Sequence, residues 1–115
     1  MAEIWNRIER VNGQAASGAI VTVSLSWDTD VQSVARTDEG QFFIGDDAKT
    51  QTDGSGEWTM DVIPNGDITP ADSVYKVTEV IDSDTTRTYY VSVPNGATPS
   101  YWVGGLLADT PEWEA

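Results

Sequence analysis

Apolar and polar residues alternate one for one along most of this chain. In AIVTVSLSW (19–27), Val21, Val23, Leu25 and Trp27 fall on one face, and Thr22, Ser24 and Ser26 on the other. A period of two is the signature of a half-buried antiparallel strand. EWTMDVIP sets Trp58, Met60 and Val62 against Glu57, Thr59 and Asp61. VYKVTEVID puts Tyr75, Val77 and Ile81 on one face, interrupted by Glu79, and RTYYVSVP sets Tyr89, Val91 and Val93 opposite Thr88, Tyr90 and Ser92. Four strands follow directly.

Turn chemistry separates them. NGQAASG (12–18) precedes the first of these strands, and SVARTDEGQFFIG (33–45) reads as a weaker hairpin bent at DEG. PNGDITPADS (64–73) is a crossing loop, DSDT (82–85) closes a hairpin, and Pro94 and Pro99 mark the end of the last clear strand. At the N-terminus, Ile4, Trp5, Ile8 and Val11 fit a helical face as well as an irregular strand; the reading preferred is extended structure from about residue 5 to 11. The C-terminal YWVGGLLADTPEWEA, with Trp102, Leu106, Leu107 and Trp113 around two adjacent glycines, is expected to pack on the body or on a neighbouring subunit. No repeat, linker or heptad is visible. Closely spaced short strands imply one all-β domain over 1–115: a single antiparallel, Ig-like β-sandwich of about seven strands with irregular terminal segments.

Composition narrows the chemistry. The 115 residues suit one core. A formal charge of −13, with six Lys and Arg in total, leaves nothing from which to build a phosphate-binding patch. Nucleic acid and anionic membranes are therefore not expected partners. There is no cysteine and no histidine, which removes disulfides, thiolate metal sites and the commonest general base and zinc ligand. MAEIWNRIER has no basic leader followed by an apolar run, and no segment approaches the roughly 20 apolar residues that span a bilayer. A soluble protein without a signal peptide is expected.

TDGSGEWTM (52–60) brackets Gly-Ser-Gly with acidic residues. A calcium loop of the helix-loop-helix type needs acidic ligands at alternate positions, a glycine sixth and a glutamate twelfth, and no start at Asp46 or Asp47 delivers that. Asp53, Gly54 and Gly56 are read instead as a structural turn that feeds the strand headed by Trp58. The pairs Asp28/Asp30, Asp46/Asp47 and Asp82/Asp84 sit in predicted bends, where aspartate serves its own backbone. Ser17, Ser33 and Ser55 have no histidine to activate them, and the phosphate-cradling glycine motif is missing. No enzyme, cofactor or metal site is expected, although a calcium-stabilised sandwich stays open as an alternative.

The aromatics are the better lead. Five Trp and four Tyr exceed what a small core requires. Trp27, Trp58 and Tyr75 are assigned to the core, whereas Trp5, Tyr90, Tyr101, Trp102 and Trp113 are hard to bury together. Large aromatics left near a surface anchor protein contacts or, less often, sugars.

The order of these elements resembles a known architecture. Gly56 and Trp58, the Pro64-Asn65 turn, Pro70, Ser73, Tyr75, Glu79 and the run from Tyr90 to Pro94 are similar to prealbumin-like or carboxypeptidase-regulatory-like β-sandwich modules. More narrowly, WTMDVIPNGDITPADSVYKVTEV with RTYYVSVP resembles small β-sandwich modules in virion proteins of tailed double-stranded-DNA viruses. The likeness covers roughly residues 13 to 107 and is weakest over 28–50. Such modules are usually appended to larger cellular proteins, so one carrying its own Met1 implies a separately encoded accessory subunit of a particle. The resemblance implies a non-enzymatic virion surface protein, either a head decoration or a tail-fibre or tail-tip appendage. It would dock on a major capsid or tail protein and form a homo-oligomer, with a trimer as the expected state. Segments 1–12 and 99–115 are the expected docking arms, with Ile4, Trp5, Tyr101, Trp102, Leu106, Leu107 and Trp113 as interface candidates. The alternative is a module that binds carbohydrate or a host receptor.

Overall fold

A computed structural model describes residues 1–37, 47–96 and 100–115. The DEG bend, Asp46 and Pro99 lie outside these residues. Among the described residues there are ten strands: β1 (Ala2–Arg7), β2 (Ile20–Ser26), β3 (Arg36–Thr37), β4 (Ala48–Gln51), β5 (Glu57–Val62), β6 (Ile68–Thr69), β7 (Val74–Asp82), β8 (Thr85–Val91), β9 (Ser100–Trp102) and β10 (Leu107–Ala108). Seven of them have three or more residues. They form a three-stranded sheet in the order β5-β1-β9, a five-stranded sheet in the order β10-β8-β7-β2-β4, and the small β3-β6 pair. The protein is an all-β sandwich.

The alternating faces meet in the middle. Ala2, Ile4, Trp58 and Val62 from the small sheet close on Val21, Val23, Tyr75, Val77 and Val91 from the large one, and Ile8, Ile68, Val93 and Val103 seal the margins. Trp58 is the largest fully buried side chain; truncating such a residue to alanine typically costs about 3–5 kcal/mol. Trp27 sits half-buried at the rim, its indole N–H donating to the Gln32 carbonyl at 2.8 Å.

The four strands read from alternation are β2, β5, β7 and β8, and DSDT does close the β7–β8 hairpin. The crossing loop after Val62 carries a short 3-10 turn, Asn65–Asp67. Asn65 pins it, accepting from the Val93 N–H at 2.7 Å and donating to Ser73 Oγ at 3.2 Å. Both terminal segments are more ordered than their sequences suggested. β1 begins earlier than expected and is the central strand of its sheet, antiparallel to β5 and parallel to β9. It stops at Arg7 because Ile8 turns its N–H to the Gly56 carbonyl (2.8 Å) and its carbonyl to the Ala16 N–H (2.9 Å). The chain from Ser100 onward gives an outer strand to each sheet, β9 and then β10. The described limb of the weak hairpin, Arg36–Thr37, pairs with Ile68–Thr69.

Candidate functional site: an aromatic face beside a buried carboxylate

The TDGSGEW loop is a backbone-bonded turn. Asp53 Oδ1 accepts from the N–H groups of Ser55 (2.8 Å) and Glu57 (3.1 Å), while the Asp53 N–H donates to the Glu57 carbonyl at 2.9 Å. Gly56 has φ +76°, and a Cβ there would collide with the Ile8 carbonyl. Glycine is needed twice over at that point, for the left-handed backbone and for the close approach. Asp53 thus spends its carboxylate on its own turn. Among the described residues no group of three or more Asp, Glu, His or Cys side chains stands where it could hold a metal ion.

The unusual chemistry lies at Glu79. It occupies the inward face of β7, where the apolar pattern is interrupted, and is 0% exposed. A buried carboxylate is tolerated only when its oxygens are fully engaged, and these are. Oε2 accepts from Trp58 Nε1 (2.7 Å), Asn6 Nδ2 (3.0 Å) and the Tyr89 hydroxyl (3.0 Å). Oε1 takes Nε of Arg87, its register partner on β8. Burial, then the charge and hydrogen bond of Glu79, push the Tyr89 phenol well above its usual pKa, so it remains a neutral donor.

This network reaches the surface through Asn6. Its amide nitrogen is held by Glu79, and its Oδ1 accepts from Trp102 Nε1 at 3.2 Å. The Trp102 ring lies against Gly104, where a Cβ would strike Cζ2 and Cη2. Trp102 is nonetheless 54% exposed. An aromatic this open is ordinarily free to change rotamer; here the indole is fixed along one edge and one face.

Trp102 separates two adjoining depressions. The first is an open groove of about 750 Å³ on the outer face of the three-stranded sheet. Three register pairs build it: Glu3 beside Ser100, Trp5 beside Trp102, and Arg7 beside Glu57. Ser100 Oγ donates to Glu3 at 3.1 Å, and Arg7 forms an ion pair with Glu57 at 3.2 Å. Glu9 and Arg87 complete the lining. The second is a cleft of about 370 Å³ between the sheets, bordered by Trp102, Val103, Gly104 and Leu107 on the apolar side and by Asn6, Arg7, Arg87 and Tyr89 on the polar side. Leu107 is 62% exposed there.

Of the residues singled out in the sequence, the fold brings Trp5, Trp102 and Leu107 to these depressions. Ile4 is 0% exposed and lies in the core, and Tyr101 and Leu106 pack half-buried against it. Trp113 sits on the opposite side of the molecule. A 3-10 turn, Glu112–Glu114, lays it on the outer face of the five-stranded sheet, with its indole donating to Ser26 Oγ at 2.9 Å. Glu114 accepts there from Tyr90 (3.0 Å) and Ser26 (3.1 Å) and pairs with Lys76 (3.3 Å). Sequence reasoning did not single out Asn6, Arg7 or Arg87, and it noted Glu79 as an interruption of the apolar face and as part of the family resemblance, without a role in the site. Glu79 in an apolar face, opposite Arg87 across a hairpin, was the available signal. Compared with protein-family models and with curated proteins, the chain matches none.

Proposed function

We propose that this chain is a non-enzymatic accessory subunit of a tailed double-stranded-DNA virus particle, a prealbumin-like sandwich that acts by docking on a larger capsid or tail protein. The observation that carries the docking reading is the pair of exposed apolar side chains, Trp102 and Leu107, on one cleft between the outermost strands β9 and β10. Binding energy concentrates in aromatic anchors that are already ordered before contact, and the Asn6 bond together with the Gly104 seat orders Trp102. β9 has no strand on its outer side among the described residues, so a partner strand can add there. Against catalysis stands the saturation, by four donors, of the one carboxylate buried among the described residues. The virion assignment rests on the resemblance described above, which also motivates a homo-oligomer, with a trimer as the expected state.

The test is quantitative mass spectrometry of purified particles. Copies on the order of hundreds place the chain on the head lattice, and a few copies in multiples of three or six place it on the tail. Its absence from particles overturns the reading. In particles assembled with Trp102→Ala/Leu107→Ser, incorporation falls at least about tenfold, a loss of 1.4 kcal/mol or more in docking.

A further inference from the structure

We propose that the groove on the outer face of the three-stranded sheet binds a neutral oligosaccharide, with pyranose rings laid on Trp5 and Trp102. The inference goes beyond particle docking and does not depend on it. A pyranose ring has a hydrogen-bearing face and a rim of hydroxyls, and each hydroxyl both donates and accepts. The polarised C–H face suits the negative face of an indole. Trp5 and Trp102 are register neighbours on β1 and β9, so they form a platform on adjacent strands. With one side of the Trp102 ring against Gly104, its exposure falls on the other side.

The groove also offers what the hydroxyl rim requires. Glu3 and Glu57 supply acceptors on either side of the tryptophans, and Arg7 and Arg87 supply planar sets of donors. Arg87 uses its Nε on Glu79 and is 50% exposed, which leaves its terminal nitrogens toward the groove. The balance of charge selects the class of sugar. Three carboxylates, counting Glu9, face two guanidiniums, so a uronate, sulfate or phosphate polymer meets net repulsion. A neutral chain meets none. At about 750 Å³ the groove lies within the roughly 300–1,000 Å³ of ligand-binding clefts.

The experiment is calorimetric titration of the full chain with neutral hexasaccharides (cello-, xylo-, malto- and N-acetylchito-series) and, in parallel, with oligogalacturonate and heparin fragments. At least one neutral series binds, and its affinity is insensitive to salt. Trp5→Ala weakens it at least about tenfold. Gly104→Ala does the same while keeping every aromatic, because the added methyl drives the Trp102 ring from its seat. Melting curves identify any variant that has lost its fold, and Glu57→Gln, at the exposed rim, serves if Trp5→Ala has. Trp5 lies outside the cleft assigned to docking, so a Trp5→Ala chain still enters particles, and the two readings fail separately. Binding of none of the neutral sugars overturns the proposal. So does binding only of the acidic fragments with steep salt dependence, or neutral binding that Trp5→Ala and Gly104→Ala leave unchanged.

Discussion

At the scale of single residues, Glu79 is the costliest choice in the molecule. Its two oxygens answer four donors, three of which (Asn6, Trp58 and Tyr89) converge on Oε2. Glu79→Gln keeps the shape and loses the fit, because an amide nitrogen in either position faces a donor. Arg87 also loses its counter-charge. The expected destabilisation is about 2 kcal/mol or more, since the Trp58 and Asn6 donors lose their charged acceptor inside the sandwich, whereas the half-exposed Arg87 keeps access to solvent. Urea unfolding followed by tryptophan fluorescence measures it; a loss below about 1 kcal/mol, the size of an ordinary hydrogen bond, would show that the network relaxes around the change. The interruption at Glu79 was legible in the alternation of β7. Its partners were not, because they come from β1, β5 and β8, and only the fold puts those strands around one carboxylate.

At the scale of elements, the C-terminal turn behaves as a latch on the five-stranded sheet. Burial acts to raise the pKa of Glu114, but hydrogen bonds from Tyr90, Lys76 and Ser26, with the charge of Lys76, outweigh it and hold the carboxyl below the usual 4.5. A depressed folded-state pKa gives stabilisation that is present above the unfolded value and is lost as pH falls through the folded one. The latch is therefore closed at neutral pH and loosens once pH drops below about 4.5. Hydrogen exchange of the Trp113 indole N–H, bonded to Ser26 Oγ, reports this directly: protection declines on acidification, and Glu114→Gln has little protection at any pH. Acid-independent protection in the wild-type chain would contradict it. The alternation identified the four long strands, yet the terminal segments escaped it. β9 and β10 are three and two residues long, too short for a period of two to register.

At the scale of the whole molecule, a charge of −13 is spread over a body of about 44 × 32 × 22 Å. At 10 mM salt the Debye length of about 30 Å lets most of these charges repel one another, whereas at 1 M it is about 3 Å. Self-repulsion works against the compact state, so Tm rises as sodium chloride increases across this range. If screening relieves about 1 kcal/mol, the shift is about 4–8 °C for a domain near this size. A flat or falling Tm would mean that the ion pairs of Arg7, Arg10, Lys76 and Arg87 contribute more than the repulsion removes.

The sequence by itself determined the class of fold, because alternation, turn residues and the lack of cysteine and histidine each act locally and need no knowledge of neighbours. It also marked Trp5, Trp102 and Leu107 among its interface candidates. Tertiary structure alone decided which aromatics stay at the surface. Tyr101, Leu106 and Trp113 are as apolar as Trp102, but the first two fall on the sandwich interior and the third is tied to Ser26. Trp102 remains open because a parallel pairing with β1 sets it at a sheet edge, over a glycine and within reach of Asn6. Exposure is a property of what the rest of the chain leaves uncovered, and no local pattern encodes that.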